Sequence, residues 1–368
     1  MSDYPDELER IVAELNRAAP APREEPSPAA RAAGLAALDR LLGLAARQEA
    51  SDVILVAGLG PVLRVNGSLT QPVGPPLSAS DVATLLQPLL DRRRQDLLDR
   101  HRSLDFCFSR EGLGRIRANV HHQRGTLAAT LRLLPAEAPT IESLHLPPSL
   151  ERFTSLRHGL VIVTGSTGSG KSSTLAALVG RINATRRVHI VTIEDPVEFQ
   201  HANRQSVVEQ IEVGQDTPDF PSALRSVLRQ SPDVILVGEM RDVETMATVL
   251  TAAETGHLVF STLHANDAPQ AISRILDAFP ADHRGPIRQQ LSLALAGVIA
   301  QQLVSARAGS GRYPAVEILL ATEAVRHLIR KGEEHQLRSQ MLMGRSEGMV
   351  TMEHSLAELA RAGKIAGA

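Results

Sequence analysis

Residues 159–179 read GLVIVTGSTGSGKSSTLAALV, and this order of residue types decides the fold of the larger part of the chain. The apolar, β-branched run 159–164 predicts a buried strand, and the residues from 173 onward have helical character. The loop between them fits the phosphate-loop pattern G-x-x-x-x-G-K-[ST]. Its glycines let backbone N–H groups point inward at phosphate oxygens, and the helix adds the positive end of its dipole. The stretch predicts a nucleoside triphosphate site.

The predicted site consists of consecutive residues with separate tasks. Lys171 can reach the β- and γ-phosphates, and Ser172 can bind the Mg²⁺ that bridges them. ATP and Mg²⁺ are therefore the expected cofactors. The residues expected to bind them are Gly165, Ser166, Thr167, Gly168, Ser169, Gly170, Lys171, Ser172 and Ser173.

Composition restricts the class of protein. A chain of 368 residues has room for two or three domains. The net charge of −2 and an aromatic content of 2% disfavour a nucleic-acid partner. The single cysteine, Cys107, excludes a disulfide within the chain and fits a reducing compartment. No apolar run is long enough to span a membrane and the N-terminus has no signal-peptide core, so we expect a cytoplasmic protein.

The chain divides by pattern into four parts. Residues 1–34 predict a flexible N-terminal extension, in which residues 6–18 form either a docking helix or a frayed tail. Residues 35–135 predict a small α+β domain with an antiparallel sheet. Residues 136–157 form a proline-punctuated interdomain linker. In residues 158–368 strands alternate with helices, which predicts a parallel sheet covered on both faces and followed by C-terminal helices.

Two element predictions are open to direct comparison with the structure. Residues 78–100 predict one helix, beginning at Ser80 or Asp81. After Gly285 the pattern predicts mostly helix, with residues 311–319 as a hairpin or strand.

Carboxylates follow two of the predicted strands. Glu239 ends the run DVILVGE, which has the Walker B pattern of apolar residues before an acid, with Gly238 where an Asp is usual. Glu194, Asp195 and Glu198 follow a second strand, where carboxylates can orient or deprotonate an attacking water. A capping Glu and a solvated acidic loop are the respective structural alternatives.

Two histidines bracket the apolar run 258–263. His257 and His264 are seven residues apart, which puts them at opposite ends and on opposite faces of a strand, so they are poor ligands for one metal. Ser261, Thr262 and His264 could sense a γ-phosphate. A core or capping histidine is the alternative.

Four arginines lie on or near two strands of the first domain: Arg115, Arg117, Arg124 and Arg132. Nothing in the same chain evidently requires them. In an oligomer they could reach the triphosphate of a neighbour as arginine fingers. An ordinary solvated sheet face is the alternative.

In order and spacing, the four motifs resemble those of the secretion and type IV pilus motor ATPases. Residues 165–173 resemble the Walker A motif of that family, 193–199 its aspartate box, 236–242 its atypical Walker B and 255–267 its histidine box. Residues 323–331 resemble the motif Ala-Ile-Arg-Asn-Leu-Ile-Arg-Glu of the pilus-retraction (twitching motility, PilT-type) group. A single cysteine excludes the four-cysteine zinc module that extension and type II secretion ATPases usually carry.

The resemblance implies an architecture and an activity. It implies an α/β fold in which a PAS-like first domain precedes a RecA-like parallel-sheet ATPase domain. It implies a homohexamer that hydrolyses ATP with Mg²⁺ between subunits. Hydrolysis would drive pilus disassembly through an inner-membrane platform protein of the pilus machinery. The protein would lie at the inner face of the cytoplasmic membrane and touch it only through partners.

Roles carry over to matching positions only. The resemblance makes Glu198 the general base and Glu239, with Ser172, a residue that holds Mg²⁺. It places His257 and His264 at the catalytic site and matches the finger arginines to some of Arg117, Arg124 and Arg132. It also implies that residues 323–331 form a helix, called here the retraction helix. This helix would have a charged face, Arg326 and Arg330, whose loss would leave folding intact.

Other functions stay open at this point. An accessory retraction ATPase and a type IV secretion traffic ATPase of the DotB kind share all four boxes. A non-hydrolysing nucleotide-gated scaffold is a different class, disfavoured by the presence of Lys171, Glu198 and Glu239 together. A nucleic-acid translocase is disfavoured by charge and composition.

Overall fold

The computed structural model of the chain describes residues 28–135, 137–307 and 311–367. They divide into two units, one of residues 28–113 with 117–133 and one of residues 114–116 with those from 134 onward. The helix proposed at 6–18 lies outside the described residues.

The first unit is an α+β domain built on a six-stranded sheet of order β3-β2-β1-β6-β5-β4. Strand β1 pairs antiparallel with both β2 and β6. Asn66 and Gly67 both have positive φ, as the hairpin turn between β2 and β3 requires. The elements are α1 (Pro28–Arg47), β1 (Ala50–Val56), β2 (Val62–Val65), β3 (Ser68–Leu69), α2 (Ala79–Leu86), α3 (Arg92–His101), β4 (Ser103–Arg110), β5 (Gly114–Gln123) and β6 (Thr126–Leu133).

Two helices of this unit differ from the sequence prediction. Helix α1 begins at Pro28, inside the segment 1–34 that was predicted to be a flexible extension, because its first turns are rich in alanine, the strongest helix former, and proline is tolerated in a first turn. The single helix expected over 78–100 is wrong. Pro88 cannot continue the hydrogen-bond ladder, so α2 ends in a short 3₁₀ turn and α3 starts from a new cap. The cap of α2 is Ser78, in a capping box with Asp81.

The second unit is built on a seven-stranded sheet of order β13-β12-β7-β11-β10-β8-β9. All neighbouring pairs are parallel except β12 with β13, which is antiparallel. The strands are β7 (Gly159–Thr164), β8 (His189–Glu194), β9 (Val207–Glu212), β10 (Val234–Val237), β11 (Leu258–Leu263), β12 (Leu295–Ser305) and β13 (Arg312–Leu320). The helices are α4 (Lys171–Thr185), α5 (Phe220–Val227), α6 (Val243–Glu254), α7 (Ala268–Ala278), α8 (Arg284–Ala294), α9 (Glu323–Lys331), α10 (Leu337–Met343) and α11 (Met352–Arg361).

Burial explains why the central strands are continuous apolar runs. Every residue of β7, β10 and β11 is buried, as expected for a parallel sheet covered on both faces. The predicted α/β fold class is confirmed. The expectation of mostly helix after residue 285 is wrong for β12, whose apolar run has the same appearance in a buried helix and in a buried strand.

Candidate nucleotide site

The four sequence motifs meet at one edge of the second sheet. The phosphate loop follows β7, the aspartate box follows β8, Glu239 follows β10 and His264 follows β11. These strands are parallel neighbours in the order β7-β11-β10-β8, so their carboxyl ends lie side by side. The carboxyl edge of such a sheet is where α/β proteins bind ligands.

Hydroxyl groups tie these strand ends together. The Thr164 hydroxyl donates to the carbonyl of Ala265 (2.8 Å) and accepts its N–H (2.9 Å). Ser261 donates to the Val237 carbonyl (2.8 Å), and Thr262 donates to the Gly238 carbonyl (2.6 Å). These hydrogen bonds give Ser261 and Thr262 a structural role between strand ends, and their interpretation as phosphate sensors stays a prediction.

The phosphate loop has the backbone that its glycines predict. Gly168 and Gly170 have φ of 77° and 91°, in the left-handed region that favours glycine. Helix α4 begins directly after Gly170 and has no side-chain cap, so its first N–H groups are available to an anion. The buried hydroxyl of Ser169 has no hydrogen-bond partner, as expected of a cradle that takes a polar ligand.

The ammonium of Lys171 lies folded across this loop. Its Nζ donates to the carbonyls of Gly165 (3.0 Å) and Ser166 (2.9 Å). Burial lowers the pKa of Lys171, and the nearby negative charges of Glu239 and Glu198 oppose that shift. The structure therefore brings the predicted phosphate-binding lysine and the two predicted catalytic carboxylates into one electrostatic cluster.

Glu239 is a half-buried acid that lies beside other charged residues of the site. Its side chain is 14% exposed, it forms an ion pair with Arg241, and its Oε2 lies 3.5 Å from Nε2 of His264. His264 is thus part of the site. A capping role for Glu239 is not what the structure shows, because the cap of the following helix α6 is Asp242.

Two acids accept hydrogen bonds in and beside the aspartate box: Glu194, which belongs to the box, and Glu212, at the end of β9. Glu194 accepts from the Thr192 hydroxyl (2.7 Å) and from Gln210 (3.2 Å). Burial raises the pKa of Glu194, and the charge of Glu198 adds to that shift. Buried Glu212, which the sequence did not single out, accepts the N–H of Val197 (3.0 Å), the residue before Glu198.

His257 lies at the other end of β11. Its Nδ1 is 3.0 Å from the carbonyl of Ala252, and its own carbonyl accepts the N–H of Gly159, the first residue of β7. A six-residue strand spans about 20 Å. The structure therefore does not bring His257 to the phosphate loop of the same chain, and its catalytic role stays a prediction.

The three candidate finger arginines belong to the first unit. Arg124 lies exposed in the turn between β5 and β6, with a positive φ of 48°. Arg117 lies 3.8 Å from Asp105, and Arg132 donates to Asp52 at 2.9 Å. The expectation that nothing in the chain requires the four arginines is wrong for Arg132, which pairs with the 4% exposed side chain of Asp52. It is also wrong for Arg115, which pairs with the 7% exposed side chain of Glu212. The action of the three candidate fingers across subunits stays a prediction.

The donors beside the phosphate loop fit Mg²⁺. Ser172, in the first turn of α4, and Glu239 offer hard oxygen atoms, and Mg²⁺ is usually bound by one or two protein groups together with phosphates and water. Over 28–135, 137–307 and 311–367, no group of three or more His, Cys, Asp or Glu side chains forms a cage for a metal.

Residues 128–363 match the family model of the type II/IV secretion system protein. The chain belongs to this family. The match thus covers nearly all of the second unit, and the resemblance seen in the four motifs is confirmed.

Two curated relatives from Pseudomonas aeruginosa span most of the chain. The type IV pilus retraction ATPase PilT is 43% identical over 328 residues, which cover 89% of this chain and 95% of the relative. The type IV pilus ATPase PilU is 41% identical, covering 89% and 86%. The predicted likeness to the pilus-retraction group is confirmed.

Two solved structures have the same fold. The crystal structure of the pilus retraction motor PilT with bound ADP matches with a TM-score of 0.83 at 42% identity, covering 89% of this chain and 93% of that one. The ATPase DotB of Legionella pneumophila matches with a TM-score of 0.78 at 27% identity, covering 90% and 93%. DotB is thus the more distant relative.

Proposed function

We propose that this chain is the ATPase subunit of a cytoplasmic hexameric motor that drives type IV pilus retraction. The observation that carries the proposal is the cluster of Lys171, Glu198 and Glu239 at an open phosphate loop. A site with only the loop would bind nucleotide, whereas the two carboxylates add the groups that hydrolysis needs. The names of PilT and PilU support retraction as the work that the hydrolysis drives.

Each residue of the cluster has a task in the proposed reaction. The free N–H groups at the start of α4 hold the phosphates, and Lys171 turns from the loop carbonyls to the β- and γ-phosphates. Ser172 and Glu239 hold the Mg²⁺, which supplies charge neutralisation when bound. Glu198 takes the proton of the attacking water, and Glu212 fixes the loop that carries Glu198.

The arginines give the proposal its oligomeric form. In the first unit Arg124 is exposed and Arg117 is half-buried beside Asp105, and arginine fingers supplied by a neighbour stabilise the charge of the transferring phosphoryl group. A homohexamer would place such fingers at each subunit interface. We propose an inner-membrane platform protein of the pilus machinery as the partner, at the inner face of the cytoplasmic membrane. Within the residues that the structure describes, no helix is long and apolar enough to cross a bilayer.

Among the alternatives, retraction is favoured over the secretion motor. PilT and PilU are 43% and 41% identical to the chain, whereas DotB is 27% identical. The helix α9 carries the retraction-like motif and folds as the sequence predicts, with Val325 and Ile329 buried and Leu328 packed against the same core. An accessory retraction role is the second candidate because PilU is almost as similar as PilT.

The first test separates nucleotide binding from hydrolysis. The purified full chain should hydrolyse ATP with added Mg²⁺, lose the activity in EDTA and regain it with Mg²⁺. Lys171→Ala should abolish turnover. Glu239→Gln and Glu198→Gln should each retain ATP affinity within about threefold and lose at least about a hundredfold in kcat, because proton and metal positioning act in the transition state.

A matched control keeps this test specific. Glu244→Gln removes a carboxylate that is 60% exposed, in the helix after Glu239, and turnover should be unchanged. Near-normal turnover in Lys171→Ala would refute the phosphate-loop assignment. Loss of ATP binding in both glutamate variants, with unchanged turnover per bound ATP, would refute the assigned roles.

A further inference from the structure

Gln301 lies beneath the phosphate loop, in an apolar strand where a carboxamide is unexpected. It is 4% exposed and follows Ala300, the residue of β12 that pairs with Thr164 at the end of β7. Strand β12 therefore places the carboxamide of Gln301 next to the start of the phosphate loop.

Both ends of this carboxamide bind the loop and its helix. Nε2 donates to the Ser169 carbonyl (2.8 Å), and Oε1 accepts from the Thr174 hydroxyl (2.7 Å). The amide orientation follows from its partners, since a carbonyl can only accept and the threonine hydroxyl can donate. One side chain thus holds both Ser169, in the phosphate loop, and Thr174, in the first turn of α4.

Two glycines of the phosphate loop pack directly on Gln301. A Cβ at Gly165 would lie 2.3 Å from the main-chain carbonyl oxygen of Gln301. A Cβ at Gly170 would lie 2.7 Å from the side-chain Nε2 of Gln301. Real Cβ atoms are not found so close to another heavy atom. These two glycines are therefore required by close approach to Gln301 as well as by backbone conformation.

We propose that Gln301 is a positioning residue for the nucleotide site. It does not touch the phosphates. It holds the loop from below so that its N–H groups converge on them, and it holds Thr174 so that the start of α4 keeps its place. This inference rests on the proposed nucleotide function, because the residue is given a role only through the phosphate loop.

The test compares neighbouring glutamines of the same strand. Gln301→Met keeps the length of the side chain and removes both hydrogen bonds. Gln302→Met is the control, because Gln302 is the next residue of β12 and its side chain makes no hydrogen bond in the described part of the chain. In Gln301→Met we expect the Kd for ADP and the KM for ATP to rise by about ten- to thirtyfold, because the Ser169 carbonyl loses its hydrogen-bond donor. In the control both should rise by less than about threefold.

A second variant tests the same contact from the other side. Thr174→Val removes the hydroxyl and keeps the shape of the side chain. If both variants act through one hydrogen bond, the combined Thr174→Val and Gln301→Met protein should bind ADP about as weakly as Gln301→Met alone. Melting temperatures of the nucleotide-free variants report general damage, which a positioning role predicts to be small beside the loss of affinity.

The outcomes discriminate clearly. ADP affinity of Gln301→Met within threefold of Gln302→Met overturns the inference. If Gln301→Met does not fold, unchanged ADP affinity in Thr174→Val overturns it instead, and weakened affinity with a normal melting temperature supports it. Wild-type protein that binds no ADP refutes the proposed function, a result distinct from either of these.

Discussion

Arg326 contacts the C-terminal end of helix α8, and its removal should lower the free energy of unfolding. Its Nη1 donates to the carbonyls of Ser292 and Leu293, the latter at 2.7 Å, in the last turn of α8. Those carbonyls have no partner within the helix, and the guanidinium charge lies at the negative end of the helix dipole. Arg330, one turn further along α9, makes no hydrogen bond or ion pair in the described part of the chain, so it is the natural control.

The expected loss follows from these contacts. Removing two hydrogen bonds from a charged donor at a helix end should lower the free energy of unfolding by about 2 kcal/mol. For a unit of more than 200 residues this corresponds to a fall in melting temperature of about 4–8 °C. Arg330→Ala should change it by about 1 °C or less, as for other surface substitutions.

Calorimetry of the nucleotide-free full chain measures this directly. Arg326→Lys should lie between wild type and Arg326→Ala, since it keeps the charge and loses the fork geometry. Equal melting temperatures for Arg326→Ala and Arg330→Ala would refute the helix-capping role. The hydrogen bonds of Arg326 give it a structural contact that Arg330 lacks in the described part of the chain, so Arg330→Ala is the cleaner variant for testing retraction. Whether folding survives the loss of both arginines stays a prediction.

Three further predictions concern other parts of the chain. Arg330→Ala should keep ATPase activity and abolish twitching in cells, and normal twitching would favour the accessory role. Subunits with Arg124→Ala mixed with Glu239→Gln subunits should regain turnover at mixed interfaces, whereas fully inactive mixed rings would count against fingers acting between subunits. Burial lowers the pKa of His201 from 6.5 to about 4, so its neutral form stabilises the fold above pH 6.5 and that stability is lost as pH falls towards 4. Between pH 7 and pH 5, wild type should lose about 2 kcal/mol more unfolding free energy than His201→Gln in urea titrations, and equal losses would refute the shift.

The sequence predicted those parts of the site whose chemistry is local. Strand β7 and strand β11 have the predicted bounds, because each is an apolar run that ends at a residue with a recognisable task. The phosphate loop, Glu239 and His264 were found for the same reason. Parallel strands then bring their carboxyl ends together, which turns separate motifs into one site.

Long-range contacts were beyond the sequence. Gln301 is 132 residues from the Ser169 carbonyl that it binds, and Arg132 is 80 residues from Asp52. A glutamine in an apolar run gives no signal of its own when the run can be a helix or a strand, so the missed strand β12 and the missed residue have one cause. Glu212 was missed because β9 was not predicted.

Strand β12 begins next to the helix end that Arg326 contacts, and Gln301 lies in the middle of the strand. The chain leaves α8 at the point that Arg326 caps, enters β12 at Leu295 and reaches Gln301 under the phosphate loop. The extended chain from Leu295 to Gln301 covers six residue steps, about 20 Å, and most of β12 is hydrogen-bonded to β7 on one side and β13 on the other. Sites this far apart that share no partner act independently, so the losses of stability in Arg326→Lys and Gln301→Met should add within about 0.5 kcal/mol in the double variant. Additive losses would show that β12 does not couple the helix end at Leu293 to the phosphate loop. A departure from additivity well above that value would instead show that the retraction helix and the phosphate loop are coupled through the strand.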